Sequence, residues 1–174
     1  MKVTIFGLAG TGKSTISKII AKDLNLSYNS TGNLMREKAQ FLGMTIYEFD
    51  ELCKNDLSYD VALDKSVEEF GKVNDNFIFE SRLAWYFISD SVKIKLKCDE
   101  DVVFNRIAGR ENISFDEAKM LTQKRANDVN ERYSKIYPQI EFPPCDEKFD
   151  LVVDTTNLNV EEVIEKIKSF LNFF

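Results

Sequence analysis

Two patterns of apolar residues take turns along this chain, and together they predict strands separated by helices. Short runs rich in β-branched and aromatic residues are typical of buried strands, and they occupy residues 3–6, 26–29, 77–79, 92–96 and 151–153. Between these runs the sequence predicts helices, several of them amphipathic, over about 16–24, 32–40, 46–52, 61–70, 101–106, 114–137 and 160–171. Strands that alternate with helices predict an α/β fold, with a parallel sheet covered by helices on both faces.

Polar residues mark the ends of several predicted elements. Ser30 and Thr31 both suit the N-cap of the second helix, and Ser114 followed by Glu117 is a capping-box pattern at the start of the long charged helix. The polar residues 109–114 predict a loop before that helix. The sequence has no internal repeat or linker-like stretch, so we expect residues 1–174 to form a single domain.

The charge balance and the missing residue types narrow the chemistry. The chain carries 23 Lys and Arg against 29 Asp and Glu, a formal net charge of −6, and it has no histidine. A Ser-His-Asp triad, a cysteine nucleophile activated by histidine and an HExxH zinc site are therefore excluded. Because binding to nucleic acid depends on neutralising many phosphates, we expect no nucleic-acid partner for this acidic chain.

The cysteines and the longest apolar runs indicate the expected compartment. Cys53, Cys98 and Cys145 lie far apart and show no metal-ligand spacing, which favours free thiols in a reducing environment. No stretch approaches 18 consecutive apolar residues, and Gly7 interrupts the apolar N-terminus. We therefore expect a cytoplasmic protein with no membrane partner.

Residues 7–14 read GLAGTGKS and match the phosphate-binding pattern GxxxxGK[ST] in full. The match lies directly after a predicted strand and directly before a predicted helix, where backbone N–H groups can surround phosphate oxygens. Lys13 is expected to bridge the β- and γ-phosphates of ATP, and Ser14 to offer its hydroxyl to Mg²⁺. The motif predicts the three-layer α/β/α fold of P-loop NTPases. The expected ATP-binding residues are Gly7, Leu8, Ala9, Gly10, Thr11, Gly12, Lys13, Ser14 and Thr15.

Further motifs indicate which class of P-loop protein this is. The NKxD and DxxG elements of GTPases are absent, and small-molecule kinases remain. The segment STGNLMR at 30–36 is similar to the SxGxxxR segment of nucleoside monophosphate (NMP) kinases. The chain as a whole resembles the cytidylate kinase family, especially its short form. The other segments that carry this resemblance are FESRLAW at 79–85, Arg106 with Arg110, Arg125 with Arg132, and VDTT at 153–156.

The resemblance implies roles for residues outside the phosphate loop. Ser30, Thr31 and Gly32 would begin a helical NMP-binding region at about 30–72. Arg36 and Arg82 would hold the acceptor α-phosphate. Arg106 and Arg110 would close over the donor phosphates from a short lid at about 107–116, and would be catalytic together with Lys13. Guanidinium groups suit this task because they grip phosphate with two parallel hydrogen bonds.

Three further assignments have a simpler alternative. Arg125 and Arg132 are seven residues apart, so they share one helix face and are expected to complete the NMP site. For each arginine the alternative is a surface ion pair. Glu80 ends the third strand, where a carboxylate often faces the water shell of Mg²⁺, and a turn cap is its alternative. Asp128 lies one position away from the family's acid and is assigned no role.

Together these features predict ATP-dependent, Mg²⁺-requiring phosphorylation of CMP or dCMP by a monomer whose partners are small-molecule nucleotides. The chain departs from related patterns at Ser81 in place of a glycine, at Leu83 in place of an aspartate found in many bacterial cytidylate kinases, and at Asn33 in place of an adenylate kinase acid. Two alternatives stay open: a kinase for another acceptor, such as AMP, UMP or a hydroxyl compound, and a non-kinase ATP-binding regulatory module.

Overall fold

The computed structural model describes residues 1–173, whose five strands form one parallel sheet in the order β2-β3-β1-β4-β5. This arrangement confirms the predicted α/β class. The strands are β1 (Lys2–Gly7), β2 (Ser27–Ser30), β3 (Phe77–Glu80), β4 (Val92–Lys97) and β5 (Leu151–Asp154).

Helices follow the strands, as predicted, and one short α-helix was missed, as was a 3₁₀ helix at Asp146–Lys148. The α-helices are α1 (Lys13–Asp23), α2 (Thr31–Phe41), α3 (Ile46–Asn55), α4 (Ser58–Val73), α5 (Ala84–Phe87), α6 (Glu100–Glu111), α7 (Phe115–Ile136) and α8 (Val160–Leu171). The missed α-helix is α5, which is too short to show a period. Ser30 is the N-cap of α2 and Ser114 that of α7, since each side chain accepts a hydrogen bond from the backbone three residues on.

The prediction of a loop over residues 109–114 was wrong in its first half. Helix α6 continues to Glu111 because Ile107 remains in an apolar cluster with Val103 and Phe104, which keeps the helix docked past the exposed Gly109. The helix ends at Asn112, whose φ of 56° is the left-handed conformation that asparagine tolerates. The segment expected as a lid is therefore a helix end, a tight turn and the start of α7.

The two faces of the sheet are covered by different helices. Val3 and Ile5 on one face pack with apolar residues of α1 and α8. Phe77 and Phe79, which alternate with Ile78, point to the other face and meet Val67 of α4. Because all strands are parallel, their carboxyl ends meet at one edge, where ligands bind in such folds.

Helices α2 to α4 form a separate apolar cluster around Met35, Phe49 and Cys53. Helix α3 meets α7 through charged side chains, with Lys54 paired to Asp128 at 2.7 Å. None of the helices within residues 1–173 has the length and apolarity needed to cross a membrane.

Candidate active site

The phosphate loop connects β1 to α1 at the carboxyl edge of the sheet. Gly10 and Gly12 adopt φ values of 76° and 87°, a region that residues with a Cβ atom rarely enter. A Cβ atom at Gly10 would also lie 2.7 Å from Val103 Cγ1 of α6. The loop therefore depends on glycine both for its turn and for its close approach to α6.

A cavity of about 690 Å³ begins at this loop and contains most of the predicted site residues. Those that line it are Gly7, Ala9, Gly10, Thr11, Gly12, Lys13, Ser14, Thr15, Thr31, Gly32, Arg36, Glu80, Arg82, Arg106, Arg110 and Arg125. A second cavity of about 380 Å³ is lined by Leu8 and shares Arg82, Arg110 and Arg125 with the first. Ser30 and Arg132 line neither cavity.

Lys13 extends back over the loop, and its Nζ donates a hydrogen bond to the Leu8 carbonyl at 2.8 Å. Burial lowers the pKa of Lys13 to about 8; Glu80 raises it, and three neighbouring arginines lower it further. The three arginines therefore add to the effect of burial, and the concentration of positive charge around Lys13 favours an anionic ligand.

Glu80, at the end of β3, is held by two hydroxyl groups. Ser14 Oγ donates to its Oε1 at 2.8 Å, and Tyr28 Oη donates to its Oε2 at 2.9 Å. Burial, followed by the charge of Glu80, raises the pKa of Tyr28. A hydroxyl next to a fixed carboxylate supplies the oxygen ligands that Mg²⁺ prefers, so these residues fit the expected metal.

Arg36 and Arg82 face the cavity without ionic partners in the described residues. Arg36 Nη2 donates to Asn33 Oδ1 at 2.8 Å, and within residues 1–173 the guanidinium of Arg82 takes part in no hydrogen bond or ion pair. Burial lowers the pKa of Arg82. A partly buried guanidinium of this kind gains most from an anionic ligand.

Arg106 is hydrogen-bonded across the mouth of the phosphate loop, whereas Arg110 forms an ion pair; both side chains are exposed. Arg106 Nη2 donates to the Thr155 carbonyl at 2.9 Å, and its Nη1 lies 3.3 Å from Thr155 Oγ1 and 3.5 Å from the Gly10 carbonyl. Arg110 pairs with Glu111 at 2.8 Å, and its side chain still lines both cavities. The alternative of a surface ion pair thus holds for the contact between Arg110 and Glu111. It holds for none of the contacts of Arg106.

Arg125 and Arg132 share one helix face, as their spacing predicts, because both contact Asp50 of α3. Arg125 reaches the cavities, but Arg132 is only 3% exposed and its Nε donates to Asp60 Oδ2 at 2.8 Å. Arg132 therefore lies in a buried charge cluster behind the cavities rather than on their surface.

The sequence analysis assigned no role to four residues that organise the site: Tyr28, Asp50, Asp60 and Thr155. Tyr28 holds Glu80 through a contact that no local pattern reveals, whereas Thr155, which holds Arg106, lies in the VDTT segment that carried part of the family resemblance. The acids did carry a signal. Asp50 lies beside Phe49 and one turn from Cys53, so it is a charged residue on the buried face of its helix.

The sequence profile of the cytidylate kinase-like family matches residues 2–157. A cytidylate kinase from Methanosphaera stadtmanae is 34% identical over 168 residues, which cover 97% of this chain and 96% of that one. An S-adenosylmethionine-dependent nucleotide dehydratase from Lacinutrix mariniflava is 32% identical over 167 residues, 95% of this chain but 35% of that longer protein.

Among solved structures, a shikimate kinase from Bacteroides thetaiotaomicron superposes with a TM-score of 0.66 at 15% identity, covering 99% of this chain and 98% of that one. At this identity the likeness concerns the fold, which is that of P-loop kinases. The family match extends over most of the chain and agrees with the resemblance found from its motifs. The chain therefore belongs to the cytidylate kinase-like family and is a phosphotransferase.

Proposed function

We propose that this protein transfers the γ-phosphoryl group of ATP to the α-phosphate of CMP or dCMP, forming CDP or dCDP. The observation that carries the proposal is the junction of the two cavities, which share Arg82, Arg110 and Arg125. A reaction between two phosphate groups requires positive charge where donor and acceptor meet, and three guanidinium groups at one junction supply it.

The larger cavity suits the donor. It runs from the phosphate loop to Leu158, Val160 and Val163 around the start of α8, which offer apolar surface to a purine. Arg106 lies between these two ends, held by Thr155, where it would cover the donor phosphates. This order of phosphate loop, arginine and apolar end supports ATP as the donor.

Ser14 and, through water, Glu80 would hold Mg²⁺ beside the phosphate loop. The ion would neutralise charge on the β- and γ-phosphates. Tyr28 fixes the second oxygen of Glu80, so the carboxylate keeps its orientation toward Ser14.

The acceptor oxygen of an NMP is already ionised at neutral pH, so the transfer needs no general base. Lys13 and the arginines align the two phosphates and stabilise the charge of the moving phosphoryl group. A hydroxyl acceptor would need a carboxylate base near Lys13. Glu80 already accepts hydrogen bonds from Ser14 and Tyr28, which favours the phosphate acceptor.

The smaller cavity suits the nucleoside of the acceptor. Tyr47, Leu121 and Phe142 give it apolar walls, while Arg82 and Arg125 mark its phosphate end. A base and sugar placed there would present the α-phosphate to the arginine junction. We include in the proposal that the enzyme acts as a cytoplasmic monomer on free nucleotides; light scattering coupled to gel filtration tests the monomer.

The deciding experiment measures kcat/KM with ATP and Mg²⁺ for CMP, dCMP, UMP, AMP and shikimate, the last as a hydroxyl acceptor. We expect CMP or dCMP to give the highest value. Preference for UMP or AMP would retain the NMP kinase but refute the cytosine assignment. ADP release that no acceptor raises above background would refute the kinase and favour the regulatory module.

Arg36→Ala provides a second test of the acceptor site. It is expected to lower kcat/KM for the NMP by about 100-fold while ATP affinity persists, since Arg36 lines the cavity from α2, whereas the apolar surface for the donor base comes from the start of α8. Lys38→Ala removes a charge from the same helix at an exposed position outside both cavities and serves as the control. Equal loss of ATP and NMP binding in Arg36→Ala would contradict its acceptor role.

A further inference from the structure

Asp50 is a buried carboxylate without a hydrogen bond in the described part of the chain. It is 6% exposed, and neither of its oxygens has an aligned donor among residues 1–173. Oδ2 lies 2.8 Å from Arg125 Nε, and Oδ1 lies 3.6 Å from Arg132 Nη2. These contacts neutralise the charge but leave hydrogen-bonding capacity unused, which is rare for buried polar groups outside functional sites.

Arg132 shows the complementary feature. Its Nε is committed to Asp60, yet Nη1 and Nη2 are buried and make no hydrogen bond within residues 1–173. Free acceptors and free donors therefore lie side by side. A phosphate at this point would be repelled by the carboxylate of Asp50. An ammonium group would be repelled by the guanidinium groups of Arg125 and Arg132. Hydroxyl groups are neutral and both donate and accept, so they match the cluster.

The cluster lies directly behind the smaller cavity. Tyr47 precedes Asp50 by three residues on α3, Val129 lies between the two arginines on α7, and both line that cavity. Asp50 itself lines neither cavity, but it pairs with Arg125, the member of the arginine junction that lies on α7. Asp50 thus stands immediately behind the phosphate end of the acceptor cavity, where the sugar of a nucleotide follows its phosphate.

We propose that Asp50 recognises the acceptor's ribose by accepting hydrogen bonds from its 2′- and 3′-hydroxyls. This inference rests on the proposed function and adds the sugar to it. When Arg125 turns toward the acceptor phosphate, Asp50 Oδ2 loses its present neighbour and faces the cavity. Arg132 remains beside Oδ1. Because deoxyribose lacks the 2′-hydroxyl, the enzyme prefers CMP to dCMP.

The test compares kcat/KM and Kd for CMP and dCMP in the wild type, in Asp50→Asn and in Asp64→Asn. The wild type is expected to prefer CMP by about tenfold or more, because a hydrogen bond to a charged group is lost with dCMP. In Asp50→Asn the preference should fall toward one, mainly through a weaker reaction with CMP. Asp64→Asn is the matched control, a buried acid that accepts a hydrogen bond from Tyr137 and forms no ion pair with Arg125 or Arg132 among residues 1–173, and it should keep the wild-type preference.

A substrate analogue tests the same contact without any substitution in the protein. In 2′-fluoro-2′-deoxy-CMP the fluorine occupies the hydroxyl position but donates no hydrogen bond, so the wild type should treat this analogue like dCMP. Behaviour like CMP would overturn the inference, as would equal use of CMP and dCMP or an undiminished preference in Asp50→Asn. These results leave NMP kinase activity intact, whereas failure of the wild type to phosphorylate any NMP refutes the proposed function and this inference with it.

Discussion

Ser14 and Glu80 are 66 positions apart in the chain, yet the Ser14 hydroxyl donates to Glu80 Oε1 at 2.8 Å. The contact forms because α1 begins and β3 ends at the same edge of the parallel sheet, with β1 and β3 as neighbours. It joins the phosphate loop to the one buried carboxylate at that edge that lines the larger cavity within residues 1–173.

Glu80→Gln tests whether this carboxylate serves the metal. The amide keeps the size of the side chain but loses its charge, so we expect kcat to fall about 100-fold and the Mg²⁺ concentration for half-maximal rate to rise. The measurement is a Mg²⁺ titration of the initial rate. Tyr28→Phe removes the other hydrogen bond to Glu80 and keeps the charge, so its kcat should stay within about threefold of wild type. If the Mg²⁺ titration of Glu80→Gln is unchanged, Glu80 does not serve the metal, and only its alternative role as a turn cap remains.

The lowered pKa of Lys13 predicts pH-dependent ATP binding. Below a pH of about 8 the amine of the free enzyme is charged and the Kd for ATP should be constant. Above that pH the amine loses its proton, and the Kd should rise by up to about tenfold per pH unit because binding must first restore the charge. In Lys13→Met, ATP binding should be weaker and should lack this rise. A titration with a fluorescent ATP analogue from pH 6.5 to 9.5 checks both statements.

Gly10→Ala tests the close approach of the phosphate loop to α6. Its Cβ atom would meet Val103 Cγ1 in addition to the strain of a positive φ, so we expect a loss of stability of about 2–3 kcal/mol together with loss of ATP binding. Gly43→Ala is the control, since Gly43 also has a positive φ, 69°, but no heavy atom within 4 Å of the added Cβ. It should cost about 1 kcal/mol and leave ATP binding unchanged. Urea unfolding and nucleotide titration of both variants separate the effect of the contact with Val103 from the effect of backbone strain.

Asp64 predicts how stability changes with pH. It is 2% exposed and accepts a hydrogen bond from Tyr137 Oη at 3.0 Å, and burial raises its pKa from 3.8 to about 7. Between these two values the folded state holds a proton that the unfolded state has released. The contribution of Asp64 to stability therefore falls as pH rises from about 4 to 7 and is constant above.

Asp64→Asn stays neutral throughout, so it should gain stability relative to wild type over that interval, by roughly 1–3 kcal/mol at pH 8. Its amide oxygen can still accept from Tyr137. Urea unfolding at pH 5 and pH 8 gives the comparison. Asp60→Asn should have the opposite sign at both pH values, because Asp60 neutralises the buried Arg132. If Asp64→Asn is less stable than the wild type at pH 8, the raised pKa of Asp64 is contradicted.

The sequence by itself determined the parts of this protein that depend on local interactions. The apolar periods predicted the strands and all α-helices but α5, because burial of a repeating face requires a repeating pattern. The motif at 7–14 predicted the phosphate loop, because its glycines, lysine and serine act within one strand, turn and helix. The arginines were identified as candidates through the resemblance to the cytidylate kinase family, and side chains of this type suit phosphate.

Tertiary structure decided which of those side chains reach a ligand. Arg125 and Arg132 look alike in sequence, yet Arg125 lines the cavities while Arg132 lies in a buried pair with Asp60, 72 positions away. The length of α6 was likewise set by packing of Ile107 rather than by its glycine-containing, polar end. Charge pairs and cavity walls form between segments that only the folded chain brings together, so no local pattern could have separated the guanidinium that lines the cavities from the one that is buried.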